Sequence, residues 1–228
     1  DHRDLHSFPT RRSSDLDGSE DIIRGLHESN TPLVLIDRNF PNLDVSFSCL
    51  NNYKATELTT KHLIEQGYEN IALVGYKTGM NHILDRIKGY EDTMNAAGLG
   101  KYIQEKKVNL LNTKVEMSSV LDVLVNKKKV EAVIFLTNML AVTGLYCLKD
   151  MNIRIPEDLA VVGFNRNDVF NLFSPTITYI RQPLELIATQ AVNILVDKIN
   201  HGELEIKAMT YSEPQLVVGS SSLKRENG

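Results

Sequence analysis

Apolar residues recur along this chain in two alternating rhythms, one with helical spacing and one of short unbroken runs. Ser19 can cap a short helix over Glu20–Glu28 that turns Ile22, Ile23 and Leu26 inward. The run Pro32–Ile36 then reads as a buried strand that reaches a polar edge at Asp37 and Arg38. Thr56–Gln66 places Leu58, His62 and Leu63 on one helical face, and Gly67 stops it. Ile71–Val74 is a strand closed by Gly75. Ile83, Ile87, Tyr90, Met94 and Ala97 form a helical stripe that ends at Gly98. Val108–Leu111 reads as a strand, and Met117, Val120, Leu121 and Leu124 mark a helix. Ala132–Leu136 is a strand, Met139–Asp150 a helix and Leu159–Gly163 a strand. Beyond Asp168 come the apolar stretch Phe170–Pro175, a short strand at Ile177–Ile180, a long helix from Leu184 to Ile199, and a final strand over Leu216–Ser222.

Strand–helix alternation from Ile71 to Gly163 predicts an α/β fold with parallel strands, right-handed crossovers and helices on both faces. In open sheets of this kind ligands sit outside the carboxyl ends of the strands. That rule selects four loops: Gly75–Gly79, Asn112–Lys114, Thr137 with Asn138, and Phe164–Asp168.

Composition narrows the function classes. The 228 residues carry a formal net charge of −4, so the chain lacks the basic footprint of a direct nucleic-acid binder. Its one basic run, Lys127–Lys129, reads as a solvated helix end. Cys49 and Cys147 fit no metal spacing and are expected to be buried, idle thiols in a reducing compartment. No stretch is apolar for long enough to span a bilayer, and no signal-peptide pattern is visible. Neither a GxGxxG, a phosphate loop nor a nucleophile elbow occurs, so no catalytic residue, cofactor or metal site is expected. Residues 1–16 show no period and no apolar face. The stretch His6–Leu16 back-translates to a string resembling a sequencing adapter, so residues 1–16 are read as a non-native artefact.

Several motifs stand in an order of their own: LVLIDR at Leu33–Arg38, NNYKA at Asn51–Ala55, HLIEQGY at His62–Tyr68 and DRIKGY at Asp85–Tyr90. Thr137 and Asn138 follow, with Gly144 on the same helix; then IPEDLAVVGF at Ile155–Phe164, Ser174 with Pro175, and RQP at Arg181–Pro183. This ordered set resembles the LacI/GalR family of transcription regulators, and more loosely the type I periplasmic sugar-binding proteins. The resemblance runs from about Ser19 to Ser222. It implies a two-lobed, periplasmic-binding-protein-like type I fold with three crossings, near Asn51, Gln182 and Ser212. Residues 17–50 with 183–211 would form a partial N-terminal lobe, and residues 51–182 with 212–228 the C-terminal lobe. It further implies a cytoplasmic homodimer with a small effector, a carbohydrate, held between the lobes. Operator DNA would be bound only through a helix-turn-helix head that this chain does not contain. With the first strands of the N-terminal lobe also expected to be missing, the strand at 33–36 should expose an apolar edge, an aggregation hazard.

Sugars are recognised by side chains that bridge neighbouring hydroxyls, a task suited to carboxylates, Arg and Asn. By resemblance Arg86 reaches the cleft, against the alternative of a surface Arg paired with Asp85 or Asp92. Asn138 is either a ligand group or a plain helix N-cap. Asn165 stands where the family usually has Asp after Gly-Phe, and Asp168 could replace the lost carboxylate. Asp37 faces the cleft from the other lobe or is a solvated turn residue. His82, one helical turn before Arg86, and Gln182, at the second crossing, complete the set. Met139 replaces the family's acid after Asn138, and Gly219 its usual Arg. Phe170, Leu172 and Phe173 form an apolar patch that is either core or dimer interface. The rival reading is a periplasmic receptor of a transport system, which shares the fold.

Overall fold

The computed structural model describes residues 19–165, 170, 172–201 and 208–224. Residues 1–16, read above as foreign, lie outside them. The elements in chain order are α1 (Ser19–Glu28), β1 (Val34–Ile36), β2 (Ser46–Leu50), α2 (Asn52–Glu65), β3 (Ile71–Tyr76), α3 (Asn81–Ala96) and β4 (Gln104–Val108). Then come α4 (Thr113–Asp122), β5 (Ala132–Phe135), α5 (Asn138–Asp150), β6 (Ala160–Phe164), β7 (Thr178–Arg181), α6 (Leu184–His201), β8 (Met209–Ser212) and β9 (Gln215–Val217).

The strands form two sheets. The larger has the order β4-β3-β5-β6-β7-β9, parallel except for β9, which runs antiparallel to β7. Period-2 alternation divides its side chains between two cores. Leu73, Ile134 and Val162 point to α2 and α3, where Leu63, Ile83, Tyr90 and Met94 are buried. Val74, Phe135 and Val161 point the other way, to Met117 and Leu121 of α4 and Leu140 and Leu145 of α5. These strands are buried on both faces, which is why they read as continuous apolar runs.

The smaller sheet is β1-β2-β8, all parallel. Helix α6 lies against it, burying Ile187 and Ala191. Ser48 of β2 and Ser212 of β8 both donate to the side-chain oxygen of Gln190 on α6, each at 3.1 Å. β1 is an edge strand with Ile36 54% exposed, and among the described residues no strand pairs with its outer side. The chain passes between the sheets after β2, after β7 and after β8.

Several expectations need correction. β2 and β8 are strands that the hydrophobic pattern does not announce: SFSCL and MTYS are short and rich in hydroxyls, with no long apolar run, and their buried serines hydrogen-bond to Gln190 instead of pointing to water. The strand expected at Val108–Leu111 lies at Gln104–Val108. This edge strand carries Glu105, Lys106 and Lys107, charges typical of an edge, which hid it. α2 starts at Asn52, four residues before the expected start at Thr56, because the Asn51 side chain caps it by accepting from the Lys54 amide at 3.1 Å. Helix α1 buries no residue: Ile22 is 64% and Leu26 43% exposed, so its apolar face is not turned inward. The last strand is only Gln215–Val217, followed by a 3-10 turn at Ser220–Ser222. That turn is pinned from within. Ser221 donates to the Val161 carbonyl at 2.6 Å, and Ser222 is 2.7 Å from His62 Nε2.

Gly67 and Gly98 follow α2 and α3 with φ of +83° and +74°, the left-handed exit that a glycine makes without strain.

Candidate ligand-binding cleft

A cleft of about 800 Å³ opens between the two sheets. One wall is the segment after β1, Asp37–Asn42. The other is built from carboxyl ends of the large sheet: Tyr76–Gly79 after β3, Leu110 after β4, Thr137–Met139 after β5, Phe164 and Asn165 at β6, and Gln182 after β7. The start of α3, Met80–Ile83 with Arg86, forms the floor.

Six of the seven residues expected to meet a ligand therefore line one cavity: Asp37, His82, Arg86, Asn138, Asn165 and Gln182. Asp168 lies outside the described residues. Three of the four loops chosen by the strand-end rule contribute. Asn112–Lys114 does not: β4 ends at Val108, so Leu110 occupies the strand end while Asn112 and Thr113 begin α4.

Arg86 is only 3% exposed. Its Nε donates to Asn52 Oδ1 at 2.8 Å and its Nη1 to the Leu136 carbonyl at 2.6 Å, while the guanidinium lies 3.6 Å from the Phe164 ring centroid. The surface pairing considered above is not adopted. Asp92 is bonded to Lys88 at 2.6 Å and Tyr53 at 3.2 Å, and Asp85 makes no ion pair with Arg86 among the described residues. Burial pulls the Arg86 pKa down to about 9, offset in part by the charges of Asp37 and Asp85. Asn52 is the positioning residue the sequence did not betray. It is itself buried and oriented by its own Nδ2 bond to the Leu50 carbonyl at 3.1 Å.

His82 is pulled down to about 3 by burial and by the nearby charges of Arg86 and Arg38, so it is neutral at physiological pH. Asn138 is not the helix cap. Thr137 has that role, accepting from the Leu140 amide at 3.2 Å, which leaves Asn138 as the first residue of α5 on the cleft wall. Asp37 and Asn165 share one backbone feature: φ of 68° and 63°. Asp and Asn are the side-chain-bearing residues that enter this left-handed region most readily. Each amide is satisfied, Asp37 by the Ser48 carbonyl at 3.1 Å and Asn165 by the Ile180 carbonyl at 2.8 Å, so both turn sharply off their strands at the cleft rim. Tyr76 lines the cleft half-buried, and Met139 lies on it 60% exposed. Arg38 and Asn39, cleft residues outside the expected set, sit on the loop after β1. The Asn39 carbonyl accepts from Asn81 Nδ2 at 3.0 Å, a bond that spans the cleft mouth.

Away from the cleft, Phe170 is a core residue packed on Gly163, with its ring 6.0 Å from that of Tyr179. Leu172 is 80% exposed, and Phe173 is half-buried in edge contact with Tyr146. Of the apolar patch, Leu172 and Phe173 therefore supply the surface. Gly219 has a packing reason: a Cβ there would run into the Thr176 carbonyl oxygen, so no Arg fits without moving backbone. Cys49 and Cys147 are free and buried, and burial together with the Asp37 charge pushes the Cys49 thiol up to about 12.

A model of the periplasmic binding protein-like domain matches residues 60–222, most of the chain. The chain belongs to that family. Within it, the chain is 28% identical over 209 residues to the HTH-type transcriptional regulator RegA of Clostridium saccharobutylicum, covering 91% of this chain and 61% of that protein. The solved complex of the transcriptional regulator CelR with cellobiose has a TM-score of 0.75 at 27% identity, over 88% of this chain and 62% of that one. A LacI family regulator from Enterococcus faecium, solved with bound ribose, has a TM-score of 0.77 at 18% identity, over 89% of this chain and 75% of that one, and shares the fold. The LacI/GalR resemblance and the two-lobed type I fold read from the motifs hold. The chain spans about three-fifths of the length of the curated relatives it matches. Among the described residues no helix is long and apolar enough to cross a membrane.

Proposed function

We propose that this chain is the ligand-sensing part of a bacterial transcription regulator, and that a small sugar-like effector binds in the cleft between its two sheets. The observation that carries the reading is the convergence of Asp37, His82, Arg86, Asn138, Asn165 and Gln182 on one cavity, from both sides of the cleft. Such a site pairs fixed hydrogen-bonding groups with aromatic and apolar walls, here Tyr76, Phe40 and Phe164, as a sugar with polar edges and an apolar face requires. The complexes of CelR with cellobiose and of the Enterococcus faecium regulator with ribose support a carbohydrate. Residues 17–50 with 183–211 and residues 51–182 with 212–228 act as two lobes, and effector binding favours one closed arrangement of them.

Control of operator DNA then belongs to a helix-turn-helix part of the protein beyond this chain. The protein works in the cytoplasm as a homodimer, with Leu172 and Phe173 contributing to the contact. It performs no catalysis. A transport receptor would share the cleft, but regulators such as RegA and CelR favour the sensing role. Thermal melting against a panel of mono- and disaccharides tests the reading. A ligand that binds the native state raises the melting temperature. No shift with any sugar would refute it.

A further inference from the structure

The cleft is more basic than the molecule around it. The chain as a whole carries a net charge of −4, yet the cleft presents Arg38, Lys77 and Arg86 against Glu20 and Asp37. Lys77 is engaged outside the cavity, 3.4 Å from Glu116 of α4. Arg38 is half-buried, and its guanidinium makes no hydrogen bond or ion pair among the described residues. Arg86 is almost wholly buried, yet its bonded partners are all neutral: an amide oxygen, a backbone carbonyl and an aromatic ring. These use Nε and Nη1 and leave Nη2 without a protein acceptor among the described residues. Asp37 and Asp85 act on Arg86 only at a distance, and Asp85 does not line the cavity. His82 lines the same cavity, where burial and the charges of Arg86 and Arg38 keep it neutral, so it adds no charge.

A buried cation is costly unless an anion compensates it. A guanidinium is also the side chain best shaped to grip a carboxylate or phosphate with two parallel bonds. We propose that the effector carries an acid group, a carboxylate or phosphate on a sugar-sized molecule, seated between Arg38 and Arg86. The inference rests on the reading of the cleft as an effector site. It adds what the neutral side chains do not specify: an anionic ligand with its acid end at the floor beside His82 and its polar edge toward Asn138 and Asn165.

Titration calorimetry of the whole chain with matched pairs tests it: glucose against gluconate and glucose phosphate, and ribose against ribose phosphate. The expected result is that one acidic member binds at least about tenfold more tightly than its neutral parent, with the gluconate and phosphate arms deciding which acid it is. Arg38→Gln should abolish that preference without lowering the melting temperature of the unliganded chain, since the Arg38 guanidinium makes no hydrogen bond or ion pair among the described residues. Equal or tighter binding of the neutral sugars would overturn the inference and leave the effector reading standing. An acid preference that survives Arg38→Gln would also overturn it. Binding by none of the five compounds, alongside a neutral sugar found in the melting panel, would overturn it as well, whereas silence in both experiments would bring down the effector reading itself.

Discussion

Arg86 ties the cleft to the core, because the same guanidinium bonds Asn52 and Leu136 and faces the cavity. Arg86→Met, which keeps the stem and removes the charge, leaves the buried Asn52 amide oxygen and Leu136 carbonyl without their donor and should lower stability by ~1–3 kcal/mol. It should weaken the effector by about thirtyfold or more, the factor that ~2 kcal/mol represents. Melting curves and calorimetry on the variant separate the two effects. His82 makes a second prediction. Its folded pKa of about 3 lies far below the ordinary value of 6.5, and burial lowers His62 as well. The unfolded chain binds protons that the folded chain refuses, so stability is full above the unfolded value and falls as pH drops from about 6.5 toward 3. Urea midpoints across that range should decline, and His82→Gln should flatten the decline. At this scale the sequence set Arg86, Asn138 and Asn165 in ordered motifs, Arg86 on a helix and the other two at strand ends, and the structure brings all three to one cavity. It did not expose Asn52 or Arg38: an Asn inside a helix start and an Arg after a strand are ordinary surface residues until the fold brings them to Arg86 and His82.

Between elements, α2 packs closely on α3, and Gly89 makes it possible. A Cβ at Gly89 would collide with the Tyr53 carbonyl oxygen and the Thr56 hydroxyl, and that hydroxyl already donates to the Arg86 carbonyl at 2.6 Å. Gly89→Ala should destabilise the chain by ~1–3 kcal/mol through overpacking, despite alanine's better helix propensity. A lower urea midpoint with an unchanged m-value would show it, and a midpoint equal to the parent's would contradict the packing. The elements that could be read in advance are those with two buried faces or a clean stripe: β3, β5, β6, α3 and α5. Those that were misread owe their place to polar groups. β2 and β8 bury serines that bond Gln190, and β4 carries its charges at a sheet edge. Hydropathy has no signal for a buried hydroxyl whose acceptor lies well over a hundred residues away.

At the scale of the molecule, the described residues form two sheets, parallel except for β9, joined by three chain segments, with the cleft where their strand ends face each other. Alternation along the chain foretold β3, β5 and β6 and three of the four loops that line the cavity, whereas of the facing wall at Asp37–Asn42 the family resemblance supplied only Asp37, because nothing local says that the small sheet folds back over the large one. That juxtaposition is the central claim, since it turns scattered polar residues into one site. The Asn81–Asn39 bond already closes its mouth at one point. A crystal structure of the chain grown with whichever sugar raises its melting temperature is the direct measurement. The account predicts ligand density between Asp37 and Arg86, touching Asn138 and Asn165, with the two sheets drawn together over it. Density on any other surface, or an empty cleft beneath a bound ligand elsewhere, would contradict it.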